Sequence, residues 1–207
     1  MTYDPDKHRR RSVRLRRYDY AQAGAYFVTV VAQRRMCLFG EVVEGEMRLN
    51  GAGEMVETWW RKLPEKHPGV DTDAFIIMPN HIHGIVIINT TVGATPRGRP
   101  DAGGTERKRA LVANQGQPHG AAPTGDDVKP TLGDIVRWFK TMTTNAYIRG
   151  VRENDWTPFD KRLWQRNYYE HVIRNEDSLN ETRHYINTNP LRWHLDKENP
   201  HGERGRL

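Results

Sequence analysis

Two histidines one residue apart lie within the apolar run "AFIIMPNHIHGIVII" at residues 74–88. On a strand, residues two apart point to the same face, so His81 and His83 would project side by side and Ile82 to the other face. If Ile82 faces a layer of helices, both imidazoles lie on the open face of the sheet, where they could chelate one divalent ion. The alternative is a pair of half-exposed polar side chains on the wet face of a sheet.

Two imidazoles are too few for a catalytic metal site, which needs at least one further ligand and open positions for water or substrate. The sequence has no His-Glu-x-x-His motif, and Cys37 is its only cysteine. That single thiol excludes both a cysteine-rich zinc site and an intrachain disulfide. The third ligand must therefore come from a distant part of the sequence.

A tyrosine near the end of the chain could supply a nucleophile. In "NEDSLNETRHYINTNP" at 175–190, Tyr185 and Asn189 are four residues apart and share one helix face, whereas Leu179 and Ile186 mark a different, apolar face. Beside an amide oxygen and a metal held by the histidine pair, a phenol could attack a phosphodiester. Without that context, Tyr185 would be an amphipathic residue at the edge of the core and Asn189 a helix C-cap.

The elements that must position these residues can be predicted from the alternation and periodicity of apolar side chains. Strand-like composition predicts strands at 25–33, 72–78, 82–88 and 162–173. Helical spacing predicts helices at 53–68, 131–150 and 175–188, and residues 38–50 predict a hairpin that turns at Glu44-Gly45. The order βαββαβ then predicts an α+β, ferredoxin-like sandwich: an antiparallel sheet with helices on one face, an inserted hairpin, and an extra C-terminal helix that carries Tyr185.

Individual residues predict where the helices begin and end. Pro64 would end the first helix, Gly150 the second and Pro190 the last. Thr131, with Asp134 three residues later, predicts a capping box at the start of the second helix.

The charge of the chain favours a polyanionic partner. The 207 residues have a formal net charge of +6, and residues 7–17 hold seven Lys and Arg and no acid. This run is either a disordered basic arm or an arm that contacts nucleic-acid phosphates, and the sequence alone leaves both open. Its candidate phosphate-binding residues are Arg9, Arg10, Arg11, Arg14, Arg16 and Arg17.

The organisation of the chain follows from changes in composition. Residues 1–20 are predicted to be a basic arm, 21–193 the folded domain and 194–207 a polar tail. Within the domain, 90–130 holds seven glycines and five prolines, which predicts a flexible insertion. No apolar run approaches the roughly 20 residues that a membrane span needs, so we expect no membrane association and a cytoplasmic, nucleoid-associated protein.

Three motifs in this order resemble a known family: "MPNHIHG" at 78–84, "WQRNYYEHVIRN" at 164–175 and "YINTNP" at 185–190. The chain resembles the REP-associated tyrosine transposases, a branch of the single-tyrosine His-hydrophobic-His transposases that act on single-stranded DNA. The resemblance extends from about Arg11 to Trp193. Each motif alone is weak, and their ordered combination is specific.

The resemblance implies a role for each matching residue. His81 and His83 would bind a divalent ion, Mg²⁺ or Mn²⁺, and Asn189 would be the third ligand, where more distant relatives have Gln. Tyr185 would be the nucleophile, leaving a 5′-phosphotyrosyl enzyme and a free 3′-OH that could reverse the attack and transfer the strand. The implied partner is single-stranded DNA with hairpin-forming palindromic repeats and a nearby guide tetranucleotide. This branch implies a monomer, with a dimer as the alternative.

Binding of single-stranded DNA needs a basic groove interleaved with aromatic rings. Beyond the arm, the candidates for that groove lie on the second helix and around the last strand: Arg137, Lys140, Arg166 and Arg174. The aromatic residues Trp164, Tyr168 and Tyr169 could stack on bases or could simply pack in the sheet.

Two rival functions stay open from the sequence. A non-catalytic, ferredoxin-like nucleic-acid-binding protein would need the basic residues but not the histidine pair. A metal-dependent hydrolase would use water at the same histidine pair and would not need Tyr185. The second rival lacks a carboxylate that is clearly placed as a base or bridging ligand.

Overall fold

The computed structural model describes residues 21–89 and 130–202, and all their elements belong to one unit of the chain. Its strands and α-helices are β1 Gly24–Val31, β2 Gly40–Val43, β3 Glu46–Leu49, α1 Gly51–Arg61, α2 Leu63–Lys66, β4 Val70–Met78, β5 His81–Ile88, α3 Leu132–Glu153, β6 Tyr169–Ile173 and α4 Glu176–Thr188. Two short 3-10 helices, Gln33–Arg35 and Pro190–Leu195, complete it. The predicted basic arm, with its six arginines, lies outside the described residues, as do residues 90–129 of the predicted insertion.

The main sheet confirms the predicted α+β class and the ferredoxin-like topology. Its order is β4-β5-β1-β6, and every neighbouring pair is antiparallel. The unit β1-α1-β4 therefore encloses β5, and the unit β5-α3-β6 encloses β1, which is the split βαβ arrangement. The inserted hairpin β2-β3 is also confirmed. Its turn is at Glu44 and Gly45, whose φ angles of 52° and 81° are those of a type I′ turn.

The helices α1 and α3 cover one face of this sheet and form the larger core with it. Alternate residues of β1 and β5, among them Val28 and Ile82, point toward Val56 and Trp60 of α1 and Phe139 of α3. The side chain of Ile82 therefore does face a helical layer, as the spacing of the histidine pair requires.

The second face of the sheet is covered too, by the extra C-terminal helix, whose position the sequence left open. Helix α4 places Ile186 and Leu179 against Phe27, Ile85 and Ile173. The apolar face predicted for the last helix needs a hydrophobic partner, and the second face of the sheet is that partner.

A bidentate ion pair also holds α4 against β4. The Arg183 guanidinium donates to the two oxygens of Asp73 at 2.9 Å and 2.7 Å. Asp73 lies at an irregularity in the β4–β5 register, between Thr72 and Phe75. The guanidinium lowers the pKa of the Asp73 carboxyl, so the pair stays charged at neutral pH.

The helix starts follow the predicted chemistry better than the helix ends. Thr131 and Asp134 form the predicted capping box of α3. Helix α1 ends at Arg61, and Pro64 lies in the first turn of α2, where a proline needs no N–H, rather than at the end of a helix.

Helix α3 continues past Gly150 to Glu153, so the predicted stop at Gly150 is wrong. A Cβ at position 150 would overlap the ring of Trp156, so this glycine allows Trp156, which follows the helix, to pack closely against α3.

The strand predicted at 162–173 is present only at 169–173. The ammonium group of Lys140 on α3 donates to the backbone carbonyls of Gln165 and Asn167 at 3.0 Å and 3.1 Å. Those carbonyl groups are therefore not available for strand pairing. Trp164 makes one isolated bridge with Ala32. Among residues 21–89 and 130–202, no helix has the length and apolarity of a membrane span.

The approach of α1 to the sheet depends on Gly84 of β5. A Cβ added there would overlap the indole ring of Trp60. We therefore expect Gly84→Ala to lower the free energy of unfolding by about 1–3 kcal/mol, measured by urea denaturation. Gly24→Ala is the matched control, because its Cβ would meet no atom closer than the Tyr26 hydroxyl at 3.7 Å. Equal unfolding midpoints for the two variants would contradict this packing.

Candidate active site

The histidine pair lies on the face of β5 that α4 covers. The two Nε2 atoms of His81 and His83 are 3.0 Å apart. The residues are 0% and 2% exposed, so the prediction of an open sheet face is wrong. The cover is Tyr185 on α4 over His83 and Trp193, just after α4, over His81, with ring centroids 5.2 Å and 5.9 Å away.

Asn80 fixes the tautomer of His81. The Asn80 amide nitrogen donates to the carbonyl oxygens of Arg35 and Glu198 at 3.0 Å and 2.7 Å. Its oxygen must therefore face the Nδ1 of His81, 2.8 Å away, and that nitrogen donates the proton. The lone pair of His81 Nε2 is left pointing at His83.

Thr29 of β1 is the corresponding partner of His83. Its hydroxyl lies 2.8 Å from the Nδ1 of His83, and the two residues are paired across the β1–β5 ladder. A hydroxyl can either donate or accept, so Thr29 supports both tautomers of His83. In one tautomer the Nε2–H donates to His81. In the other both Nε2 lone pairs converge, which is unfavourable unless a cation lies between them.

A carboxylate completes the cluster. One oxygen of Asp196 lies 3.9 Å from His81 Nε2, and its side chain is 7% exposed. Ligand atoms of His81, His83 and Asp196 all lie within 4.8 Å of one another. The residue follows the 3-10 helix Pro190–Leu195, which turns the chain back over the sheet after α4.

Asn189, the third ligand that the resemblance implied, is buried at the end of α4. Its Oδ1 atom has no hydrogen-bond partner, although the residue is only 3% exposed. A buried amide oxygen without a partner costs free energy, so such an atom indicates a ligand that the protein alone does not provide. The Asn189 amide lies close enough to the Tyr185 hydroxyl to lower the pKa of the phenol, so both residues face the same space.

Tyr185 brings its hydroxyl to the histidine pair. The oxygen lies 3.3 Å from His83 Nε2, and Phe27 contacts the Tyr185 ring edge-on and stacks on His83. Tyr185 is 40% exposed, so a large substrate can reach it from solvent. Burial, and secondly the negative charge of Asp196, raise the pKa of its phenol, while the hydrogen bond from Asn189 lowers it. The phenol is therefore protonated at neutral pH.

Both imidazoles are neutral at physiological pH. Burial, and secondly the charge of Lys197, lower the pKa of His81 to about 3. Burial and the neighbouring His81 lower the pKa of His83 well below its usual value, with Asp196 opposing them. A neutral imidazole offers its nitrogen lone pair, which is the form that binds a metal ion.

The residues fit a divalent ion. The two Nε2 atoms are 3.0 Å apart, close enough that both could bind one ion. Asn80 and Thr29 orient the ring nitrogens that face away, as outer-shell partners of ligating histidines do. The unpartnered Oδ1 of Asn189 and the Asp196 carboxylate add oxygen donors.

The predicted DNA-binding residues are distributed over several places. Arg137, Lys140 and Arg166 line one cavity on the other side of the sheet, beside α3. Arg174 lies exposed just after β6 and does not line that cavity. Trp164 is a core residue at 4% exposed, Tyr168 packs against the larger core, and Tyr169 is exposed at the edge of Phe27.

Asp196, Asn80 and Thr29 are the residues of the site that the sequence did not reveal. Asn80 carried a signal, since it directly precedes the histidine pair, but its side chain was assigned no role. Thr29 looks like any other strand residue. Asp196 lies after a proline and a 3-10 helix, so no helical or strand period connects it to the other ligands.

The chain is similar to known proteins over most of its length. No protein-family model matches it. An uncharacterised protein of Haemophilus influenzae is 37% identical over 195 residues, which are 94% of this chain and 96% of that protein.

Two solved structures resemble the chain. One is a REP-associated tyrosine transposase bound to a REP hairpin, with 22% identity, a TM-score of 0.50, and coverage of 86% of this chain and 73% of the other. A candidate transposase from Deinococcus radiodurans is 14% identical with a TM-score of 0.40, over 84% and 95% of the two chains. The first likeness confirms the recognised resemblance at the level of the fold.

The buried imidazoles predict that acid destabilises the protein. The unfolded chain binds these protons near the usual histidine pKa of 6.5, whereas folded His81 binds its proton only near pH 3. Stability from the neutral imidazoles is therefore complete above about pH 6.5 and is lost as the pH falls below it. Each buried imidazole contributes a slope of up to about 1.4 kcal/mol per pH unit. Urea unfolding in EDTA between pH 7.5 and pH 5 measures that slope.

The variant His81→Gln should make the slope shallower. His184→Gln, which removes an exposed imidazole from α4, is the matched control and should leave it unchanged. If His81→Gln has the slope of the unaltered protein, the buried imidazoles are not the source of the acid sensitivity.

Proposed function

We propose a function for this chain, which belongs to one protein family with its Haemophilus influenzae relative and has the fold of a REP-associated tyrosine transposase. The protein is a metal-dependent endonuclease and strand transferase of single-stranded DNA that uses Tyr185 as its nucleophile. The observation that carries this proposal is the position of the Tyr185 hydroxyl. It lies 3.3 Å from His83 Nε2, which in turn lies 3.0 Å from His81 Nε2, so that the two imidazoles could bind one metal ion.

The reaction would exchange one phosphate ester for another. The Tyr185 oxygen forms a bond to phosphorus as the bond from phosphorus to the 3′ oxygen breaks. The phenol loses a proton and the departing 3′ oxygen gains one, so the step is balanced without an external energy source. The product is a 5′-phosphotyrosyl enzyme and a free 3′-OH, and the reverse attack by that 3′-OH rejoins or transfers the strand.

The ion would be held by His81, His83 and Asn189, with Asp196 as a further oxygen donor. A bound divalent ion would neutralise phosphate charge and favour the ionised phenol. We propose Mg²⁺ or Mn²⁺. Two imidazole ligands favour Mn²⁺ over Mg²⁺, which prefers oxygen ligands.

The other residues of the site would position the phenol and exclude water. Phe27 stacks on His83 and contacts the Tyr185 ring edge-on, so it limits the directions from which solvent reaches them. Arg183, on the same helix as Tyr185, ties that helix to Asp73 of β4. The partial exposure of Tyr185 leaves the approach of a phosphodiester open.

The proposed substrate is DNA with hairpin-forming palindromic repeats. Support comes from the fold shared with a transposase that was solved with a REP hairpin, and from the ordered motifs around the site. The nucleophile and the histidine pair come from one chain, so a monomer suffices for the chemistry. The arginines at 9–17 remain candidates for phosphate contacts.

Asp196 favours one alternative function. A carboxylate beside two histidines can hold a metal ion and accept a proton from water, so the same cluster could serve a hydrolase. That enzyme would release cleaved DNA without attached protein, and it would not need Tyr185. The other alternative, a non-catalytic nucleic-acid-binding protein, would bind DNA equally well with and without a chelator.

The adduct assay tests the proposal. The protein is mixed with Mn²⁺ and hairpin-bearing single-stranded oligonucleotides, and the products are separated on a denaturing gel. We expect a covalent protein–DNA band that Tyr185→Phe abolishes. Tyr169→Phe is the matched control, because Tyr169 is also exposed and also contacts Phe27 at its edge.

The outcomes of that assay separate the three functions. An adduct that persists in Tyr185→Phe would show that the nucleophile is misassigned. Cleaved DNA with no attached protein supports the hydrolase, and binding without any cleavage, unaffected by EDTA, supports the binding protein.

The ion pair between Arg183 and Asp73 should position Tyr185. We expect Arg183→Gln and Asp73→Asn each to slow adduct formation about tenfold in single-turnover experiments, because a small displacement of a nucleophile is costly. The double variant should be no slower than either single variant, since both remove one interaction.

Glu176→Gln is the control for this pair. Its carboxylate is 3.5 Å from Arg183 but 73% exposed, so its loss should have little effect. Fully additive losses in the Arg183 and Asp73 variants would argue against a shared positioning role.

A further inference from the structure

A second candidate binding site lies on the face of the sheet opposite the histidine pair. It is an open cavity of about 650 Å³ between α3 and the segment that precedes β6. We call it the α3 cavity. Its walls are α3 from its N-cap Thr131 as far as Asn145, and residues 161–166 with Tyr168.

The α3 cavity carries a concentrated positive charge. Five cationic side chains and a single acidic one, Asp134, line it; the cations are Arg137, Lys140, Lys161, Arg162 and Arg166. Asp134 already pairs with Arg137 at 2.6 Å. Among the described residues, Lys161, Arg162 and Arg166 form no ion pair, and all three are exposed.

The segment that presents these charges is held in place by side chains of α3. Lys140 binds the carbonyl oxygens of Gln165 and Asn167, and the indole nitrogen of Trp164 donates to Thr143 of α3 at 2.8 Å. The backbone that carries Arg162 and Arg166 is therefore positioned by packing rather than left to solvent. Cations on a fixed backbone lose less conformational entropy when they bind phosphates.

The α3 cavity and the histidine pair lie on the two sides of one edge strand. Among the strands that the structure describes, β6 lies at this edge of the sheet, and its first residue is Tyr169. Tyr168 packs against the helical core beside the cavity, whereas the ring of Tyr169 lies against Phe27 on the side of Tyr185. Successive residues of a strand point to opposite faces. A flexible chain that passes around β6 would therefore reach from one site to the other without crossing the sheet.

We propose that the α3 cavity binds phosphates of single-stranded DNA that flank the reacting phosphate, and that the strand passes around the β6 edge. This inference rests on the proposed function, because it extends the path of the same substrate. A single strand is favoured because it bends sharply around an edge, and because its affinity can come from phosphate contacts without base readout.

The test is a binding measurement that involves no chemistry. The full chain carrying Tyr185→Phe is titrated in EDTA into a fluorescent single-stranded oligothymidylate at several salt concentrations. We expect Arg162→Gln with Arg166→Gln to weaken binding about tenfold. The slope of log affinity against log salt should become shallower by about 1.4, which corresponds to two lost phosphate contacts at about 0.7 each.

The matched control is Arg149→Gln with Arg152→Gln. Both residues are exposed on the last turns of α3, outside the α3 cavity, and the net charge changes by the same amount. If the two double variants lose equal affinity and equal slope, only overall charge matters and the proposal is overturned. A loss confined to the cavity variant supports it.

This result is independent of the adduct assay. Binding in EDTA by a chain without the Tyr185 hydroxyl cannot report on covalent chemistry. A protein that forms no adduct can still show the cavity effect, and a protein that forms the adduct can still fail the cavity test.

Discussion

The convergence of two buried imidazole nitrogens at 3.0 Å is the constraint on which the site depends. It begins with the two-residue period of β5, which aims His81 and His83 at the same face. Asn80 and Thr29 then fix the outward nitrogens, so that the inner ones meet. Two neutral lone pairs at this distance repel, and the space between them is favourable only for a proton or a cation.

Burial of this pair explains why a helix must cover the second face of the sheet. The apolar side of α4 seals Phe27 and Ile85 from water, and its polar side brings Tyr185 and Asn189 to the imidazoles. The same exclusion of water lowers the pKa of the histidines and raises that of the phenol. In a site of low dielectric, each charge that a substrate or ion brings is felt more strongly than it would be in water. One helix thus sets both the geometry and the electrostatics.

Local patterns in the sequence were sufficient for the order of the elements and for the faces on which their residues lie, but not for every boundary. The period of the strand gave the shared face of His81 and His83, and the four-residue spacing on α4 placed Tyr185 beside Asn189. The sequence could not show that the histidine face is covered. The apolar side of α4 shows that this helix packs against a hydrophobic surface, but it does not show which surface of the domain that is. Asp196 was out of reach for a related reason. A short 3-10 helix after Pro190 sets its position, and no period extends through such a turn.

The edge position of β6 connects the two faces of the molecule. Among the described strands β6 lies at the edge of the sheet, so the basic α3 cavity and Tyr185 are on the two sides of an edge strand rather than of a central one. Before β6, Lys140 binds the carbonyl groups of Gln165 and Asn167, which a longer strand would have used for ladder pairing. A shorter β6 therefore has fewer ladder hydrogen bonds, but the residues before it form a basic segment with a fixed backbone. Such a loss of pairing is expected where the edge of a sheet serves binding as well as stability.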